Sequence, residues 1–320
     1  MNTAEFIATV QQADGAIPWE PGRHVDPWNH GEAAMGLTAA GHHEEAYAAY
    51  DWLARTQNAD GSWYAEYHDG TVADSARDLN FTAYIAVGAH HFALSTKDRR
   101  IAGRWWPAVE GALDFVTGHQ RDGGEFPWRI GAKRAALLAG NCSIAHALAN
   151  GLALADELGH AKPDWRRARE RVLGAITGAP EAFEPKPHAM DWYYPVLCGA
   201  RDRLADRWDE FVVPDLGVRC EHTQPWVTGG ETAELALVLA ARGDRRRARA
   251  LLRTLDRLRH DDGSYWTGYQ FENDDLWPLE RTTWTAGAVL LASAAADGDP
   301  ATVAVFGAGE RHSRVSPAAL

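Results

Sequence analysis

The chain has 320 residues, a net charge of −12 at neutral pH and 14 tryptophans. That length can bury a large core in one domain, and the acidity argues against a nucleic-acid partner. Three scattered cysteines, Cys142, Cys198 and Cys220, make no disulfide framework and suit a cytoplasmic location. The amino terminus lacks a signal-peptide pattern, and the longest apolar stretch, 286–296, is too short to insert across a membrane.

The elements follow in chain order. Residues 3–12 read as an amphipathic outer helix, ended by "QQADGAIPW" at 11–19. An Ala- and Gly-rich inner helix is expected at 26–41. The segment 43–57 returns to the outer type, with Ala46, Tyr50, Leu53 and Ala54 at helical spacing, and it ends in "QNADGSW" at 57–63. Inner 78–94 and outer 103–120 follow, the latter closed by "QRDGGEFPW" at 120–128. Then come inner 141–158, outer 163–177, inner 191–200, outer 200–210, inner 226–241 and outer 244–258. "HDDGSYW" at 260–266 leads to the last inner helix, 281–295. No strand pattern competes. A single domain over 1–308 is expected, with 309–320 as a frayed tail.

Six outer and six inner helices in alternation predict an all-α fold, a closed (α/α)6 barrel. An open solenoid would carry polar end caps, whereas the last inner helix is as apolar as the middle ones. In each recurring turn Asp-Gly reverses the chain and glycine supplies a positive φ. Trp19, Trp63, Trp128 and Trp266 are read as packing aromatics, with an aromatic rim as the alternative.

Inner-helix starts gather at one mouth of such a barrel, so their polar residues should line a pocket. Trp28, Asn29, His30, Asp78, Asn80, Asp191, Tyr193, Tyr194, Trp226, Arg281 and Trp284 mix aromatic faces with hydrogen-bonding groups, as a sugar groove requires. Asp26 and Glu231, on non-adjacent helices, are the expected acid–base pair, in an order left open, with Glu280 as substitute. Glu20, Glu32, Glu125, Glu272 and Asp274 are further acidic residues near the mouth. An inverting glycosidase needs two carboxyls far enough apart to admit a water. Asp26, before Pro27, also reads as a helix cap, and Glu280 as a partner for Arg281. No HExxH, Walker or GxGxxG motif appears, and no metal or cofactor is expected.

The turn motifs resemble the QW-type repeats of squalene–hopene cyclases and protein prenyltransferase β-subunits, a likeness that implies an α/α toroid. Its chemistry does not carry over. The nearest run to the cyclase D-x-D-D is "ENDD" at 272–275, which leaves a class II terpene cyclase using Asp274 or Asp275 as the rival enzyme. A non-catalytic carbohydrate-binding toroid is the other alternative. The blocks "HVDPWNHGEAAMGL", "DLNFTAYIAVG", "MDWYYPVL" and "WPLERTTWTAGAVLLA" are similar to an actinobacterial family that includes the mycobacterial methylmannose polysaccharide hydrolases. This resemblance implies an endo-acting glycoside hydrolase that binds a polysaccharide or oligosaccharide of α-1,4-linked 3-O-methylmannose.

Overall fold

A computed structural model describes residues 1–132 and 136–307. In chain order its elements are α1 (Thr3–Val10), α2 (Pro27–Ala39), α3 (His43–Thr56), β1 (Glu66–His68), β2 (Thr71–Asp74), α4 (Leu79–Ala83), α5 (Ile85–Thr96), α6 (Arg99–Thr117), α7 (Leu138–Leu158) and α8 (Pro163–Gly178). There follow α9 (Met190–Leu197), α10 (Trp208–Phe211), β3 (Val212–Val213), β4 (Gly217–Arg219), β5 (Trp226–Thr228), α11 (Gly229–Ala241), α12 (Arg245–Thr254), β6 (Gly268–Gln270), β7 (Asp275–Leu276), α13 (Thr283–Asp297) and α14 (Pro300–Phe306). The tail at 309–320 lies outside the described residues.

Two kinds of helix are present. α2 and α11 are buried on every side along almost their whole length, as helices without a polar face must be. α12 buries only Ala248 and Leu251 and turns its arginines outward. The inner helices pack in a cycle: α2 on α5, α5 on α7, α7 on α9, α9 on α11, α11 on α13, and α13 back on α2. The architecture is a helical toroid. At the α2–α13 crossing a Cβ on Gly36 would lie 2.6 Å from the Gly287 backbone, so glycine sets how closely these two helices approach.

The recurring turns lock the outer layer. Gln11, Gln57 and Gln120 each donate through Nε2 to the carbonyl of their own turn glycine and to a carbonyl of the next outer helix, at Glu45, Ala108 and Ala168. Gly15, Gly61, Gly124 and Gly263 all have positive φ. A Cβ on each would strike backbone of the following outer element, at Ala48, Gly111, Arg171 and Asn2. The fourth turn thus rests on the start of α1.

Several expectations are corrected. β1–β2 form a hairpin, and β3-β4-β5-β6-β7 form an antiparallel sheet, although no strands were expected. These strands are two to four residues long, too short for alternation to register. Residues 226–228 pair in the sheet rather than open α11, in keeping with the extended preference of Trp-Val-Thr. The expected helix at 200–210 shrinks to a 3-10 turn, Ala205–Arg207, and the single turn α10. Phe211 there stacks on Trp192. α14, which was not anticipated, packs against α5, α11 and α13. No single helix among the described residues is long and apolar enough to cross a membrane.

Candidate active site

The starts of α2, α4, α7, α9 and α13 surround a cavity of about 260 Å³ walled by Trp19, Trp28, Phe81, Met190, Tyr194 and Trp284, with Asn29 and Asn80 as its polar members. Trp284 lies against both Trp28 and Trp19, with ring centroids 5.9 and 6.1 Å away. Trp28 stacks on Tyr84 at 5.0 Å. Asn80, Phe81 and Met190 also wall a second cavity of about 410 Å³, which Asp78, Trp128, His188 and Asp191 help to line. The two cavities form one groove.

The groove presents unused hydrogen-bonding capacity. Among the described residues, the buried polar atoms without a partner include Trp28 Nε1, Trp284 Nε1 and Asn80 Oδ1. All three residues wall the central cavity. Buried donors left unpaired are costly, and a ligand with oxygen acceptors would satisfy the two indoles.

Short backbone pairings hold the carboxyls at the mouth. Val25 pairs with Tyr67 of β1, delivering Asp26 to the α2 N-cap. Its Oδ1 accepts from the amides of Trp28 and Asn29 at 3.1 and 2.9 Å, and its Oδ2 accepts from the Asn29 side chain. His24 Nε2 stands 3.8 Å from Oδ2. Burial raises the Asp26 pKa against these hydrogen bonds. Asp78 caps α4 in the same way, beside Trp128, whose carbonyl accepts from Leu79 N. Burial lifts its pKa to about 7. Asp191 accepts from Ala139 N at 3.0 Å, and burial raises its pKa too.

Glu231 lies in the first turn of α11, 6% exposed, and Thr228 Oγ1 donates to it. A Cβ on the neighbouring Gly230 would come within 2.5 Å of the Trp284 ring. Trp284 therefore stands between the starts of α2 and α11. Glu280 accepts from Trp19 Nε1 at 3.3 Å and so orients a wall of the cavity.

Sequence reasoning missed Glu234 and gave Glu32 a minor place. Glu234 accepts from the hydroxyls of Tyr193 and Tyr194, and Glu32 from that of Tyr84. Burial raises both carboxyl pKa values, that of Glu32 to about 7. Glu234 follows Glu231 at i+3 in an otherwise apolar helix. That spacing puts both on one helix face and was the available signal.

Four expected site residues fall elsewhere. His30 Nδ1 accepts from Ile17 N at 2.9 Å and its Nε2 faces Ala49 O at 2.9 Å. Burial holds its pKa near 4, so it is a neutral tie between layers. The Arg281 guanidinium pairs with Asp262 and His260 of the fourth turn rather than with Glu280. Tyr193 is fully buried beneath Tyr194, and Trp226 opens β5, the central strand of the sheet. Two turn tryptophans, Trp19 and Trp128, do reach the groove. Trp63 is buried with Nε1 on Leu53 O, and Trp266 packs under Arg281. Among the described residues, no cluster of His, Cys, Asp or Glu is arranged to hold a metal ion.

Comparison with known proteins decides the family. The chain is 48% identical over 301 residues to the MMP endo-(1,4)-3-O-methyl-alpha-D-mannosidase of Mycolicibacterium hassiacum, covering 91% of this chain and 84% of the relative. The chain belongs to that mannosidase's family. No protein-family model matches it. Among solved structures, it resembles a glycosidase in complex with glucose, at a TM-score of 0.71 and 16% identity over 92% of this chain and 95% of the other. A D-mannose isomerase gives a TM-score of 0.64 at 11% identity over 90% and 94%. At such identities the likeness concerns the fold alone, and the mannosidase family carries the link to chemistry.

Proposed function

We propose that the chain is an endo-acting glycoside hydrolase that cleaves α-1,4-linked 3-O-methylmannose polysaccharide with inversion. The observation that carries this reading is the 48% identity to the mannosidase over most of both chains. Asp26 and Glu231 form the reacting pair, one protonating the leaving oxygen while the other activates water. Asp78, Asn80, Asp191, Trp28, Asn29, Tyr194 and Trp284 make the sugar-binding wall, and Glu280 and Tyr193 support it from behind. The cyclic packing of α2, α5, α7, α9, α11 and α13 supports a closed (α/α)6 barrel, with outer position five reduced to the 3-10 turn and α10.

The mechanism follows from burial. Asp26 is 3% exposed, and its raised pKa favours a role that begins protonated. Glu231 on the far side of Trp284 then takes the role of base. The cyclase alternative has weak support. Asp274 has φ 58 and accepts from Tyr269 OH at 2.7 Å on the turn between β6 and β7, away from the central cavity. Incubation with methylmannose oligosaccharides tests the proposal. Internal cleavage into shorter chains is expected, and binding without cleavage would refute it.

A further inference from the structure

A third cavity, about 470 Å³, opens at the end of the five-stranded sheet where the β4–β5 and β6–β7 connections lie. Its platform is Trp226 and Trp277, whose rings meet edge to face with centroids 4.8 Å apart at 70°. Trp226 Nε1 donates to Trp277 O at 2.7 Å, which fixes the pair. Trp277 is 55% exposed, an unusual place for an indole unless it meets something. Gln224, Gln270, Asn273 and Asp275 surround it. Indole faces cover the apolar faces of sugar rings, and side-chain amides and carboxylates bond hydroxyls.

This cavity adjoins the groove through an ion pair. Glu221 lines it and pairs with His188 at 3.4 Å, which lines the second cavity. Ala189 N donates to Cys220 O at 2.8 Å and His222 N to Pro187 O at 3.1 Å, so the two segments run side by side. The third cavity therefore lies next to the second. From Trp226, β5 runs directly into α11, whose first turn carries Glu231.

We propose that the Trp226–Trp277 platform is a distal subsite for the same glycan, holding an O-methylated sugar remote from the bond that is cut. The inference rests on the hydrolase reading. An endo-acting site must grip chain beyond the scission point, and ether methyls add apolar surface that an indole face can cover. The distal contact is uniform binding, which acts on KM rather than kcat.

The test is steady-state hydrolysis of long and short methylmannose oligosaccharides by wild type, Trp277→Ala and Trp277→Phe, with binding of the long chain measured by calorimetry. The alanine variant should raise the ratio of long-chain to short-chain KM about tenfold, the loss of one aromatic contact, and phenylalanine should restore most of it. An unchanged ratio and unchanged calorimetric affinity would overturn the distal subsite while leaving the hydrolase intact. If wild type cleaves neither chain, the hydrolase reading falls. The platform is then judged by calorimetry, where equal affinity of wild type and Trp277→Ala overturns it.

Discussion

In the proposed mechanism Asp26 combines two roles in one side chain. Its Oδ1 caps α2, the structural role its place before Pro27 announces, and the same cap holds the carboxyl at the mouth. Asp26→Asn keeps a cap of equal quality and removes the titrating group. Loss of activity without loss of stability then separates the roles. Asp26→Asn and Glu231→Gln are each expected to lower kcat by about 10²–10⁴, whereas Glu280→Gln, which acts only through Trp19, should change it a few-fold. Kinetics on a methylmannose oligosaccharide decide this, and an active Glu231→Gln would remove Glu231 from the pair. Glu32 makes a different prediction. Its folded pKa is about 7 against 4.5 for an ordinary glutamate, so between those values the folded chain holds a proton that the unfolded chain has lost. This stabilisation is complete below about pH 4.5 and disappears as pH rises through 7, a loss of roughly 3 kcal/mol. Urea midpoints at pH 5 and pH 8 should differ less in Glu32→Gln than in wild type. Equal differences would place the titration on other groups.

Among the elements, the inner and outer helices were legible because burial alone separates them. α2 and α11 have no polar face, and α12 has a wide one. The turns were legible as turns, but their geometry shows more. Gln57 ties Gly61 to the next outer helix, a contact between segments 51 residues apart that no local pattern encodes. The β3–β7 sheet was not legible, because strands this short take their stability from partners distant in sequence. Glu234 escaped notice and Glu32 was given only a minor place because their tyrosine partners lie about 40 and 52 positions away. A turn-specific prediction follows. Gly61 has φ +92 and a Cβ there would stand 2.2 Å from Gly111 O, while Gly22 has φ +77 and open space around it. Gly22→Ala should cost about 1 kcal/mol from backbone conformation. Gly61→Ala adds a backbone clash between two helical hairpins and should cost roughly 3 kcal/mol or more. Denaturant midpoints compare them, and equal losses would show that the hairpins yield freely.

Over the whole molecule, the ring order sets α13 between α2 and α11. Its Trp284 reaches Trp28 on one side and Gly230 on the other. The proposed inversion requires Asp26 and Glu231 to stand roughly 6.5–9.5 Å apart, so that a water fits between substrate and base, rather than the roughly 5–5.5 Å of a retaining pair. The α-linked chain should first yield a β-configured reducing end, visible by NMR before mutarotation mixes the anomers. A first product of α configuration would mean that a carboxylate attacks the sugar directly. Asp78 on the adjoining cavity wall, whose pKa the Asp26 charge helps to raise, would then be the first residue to substitute.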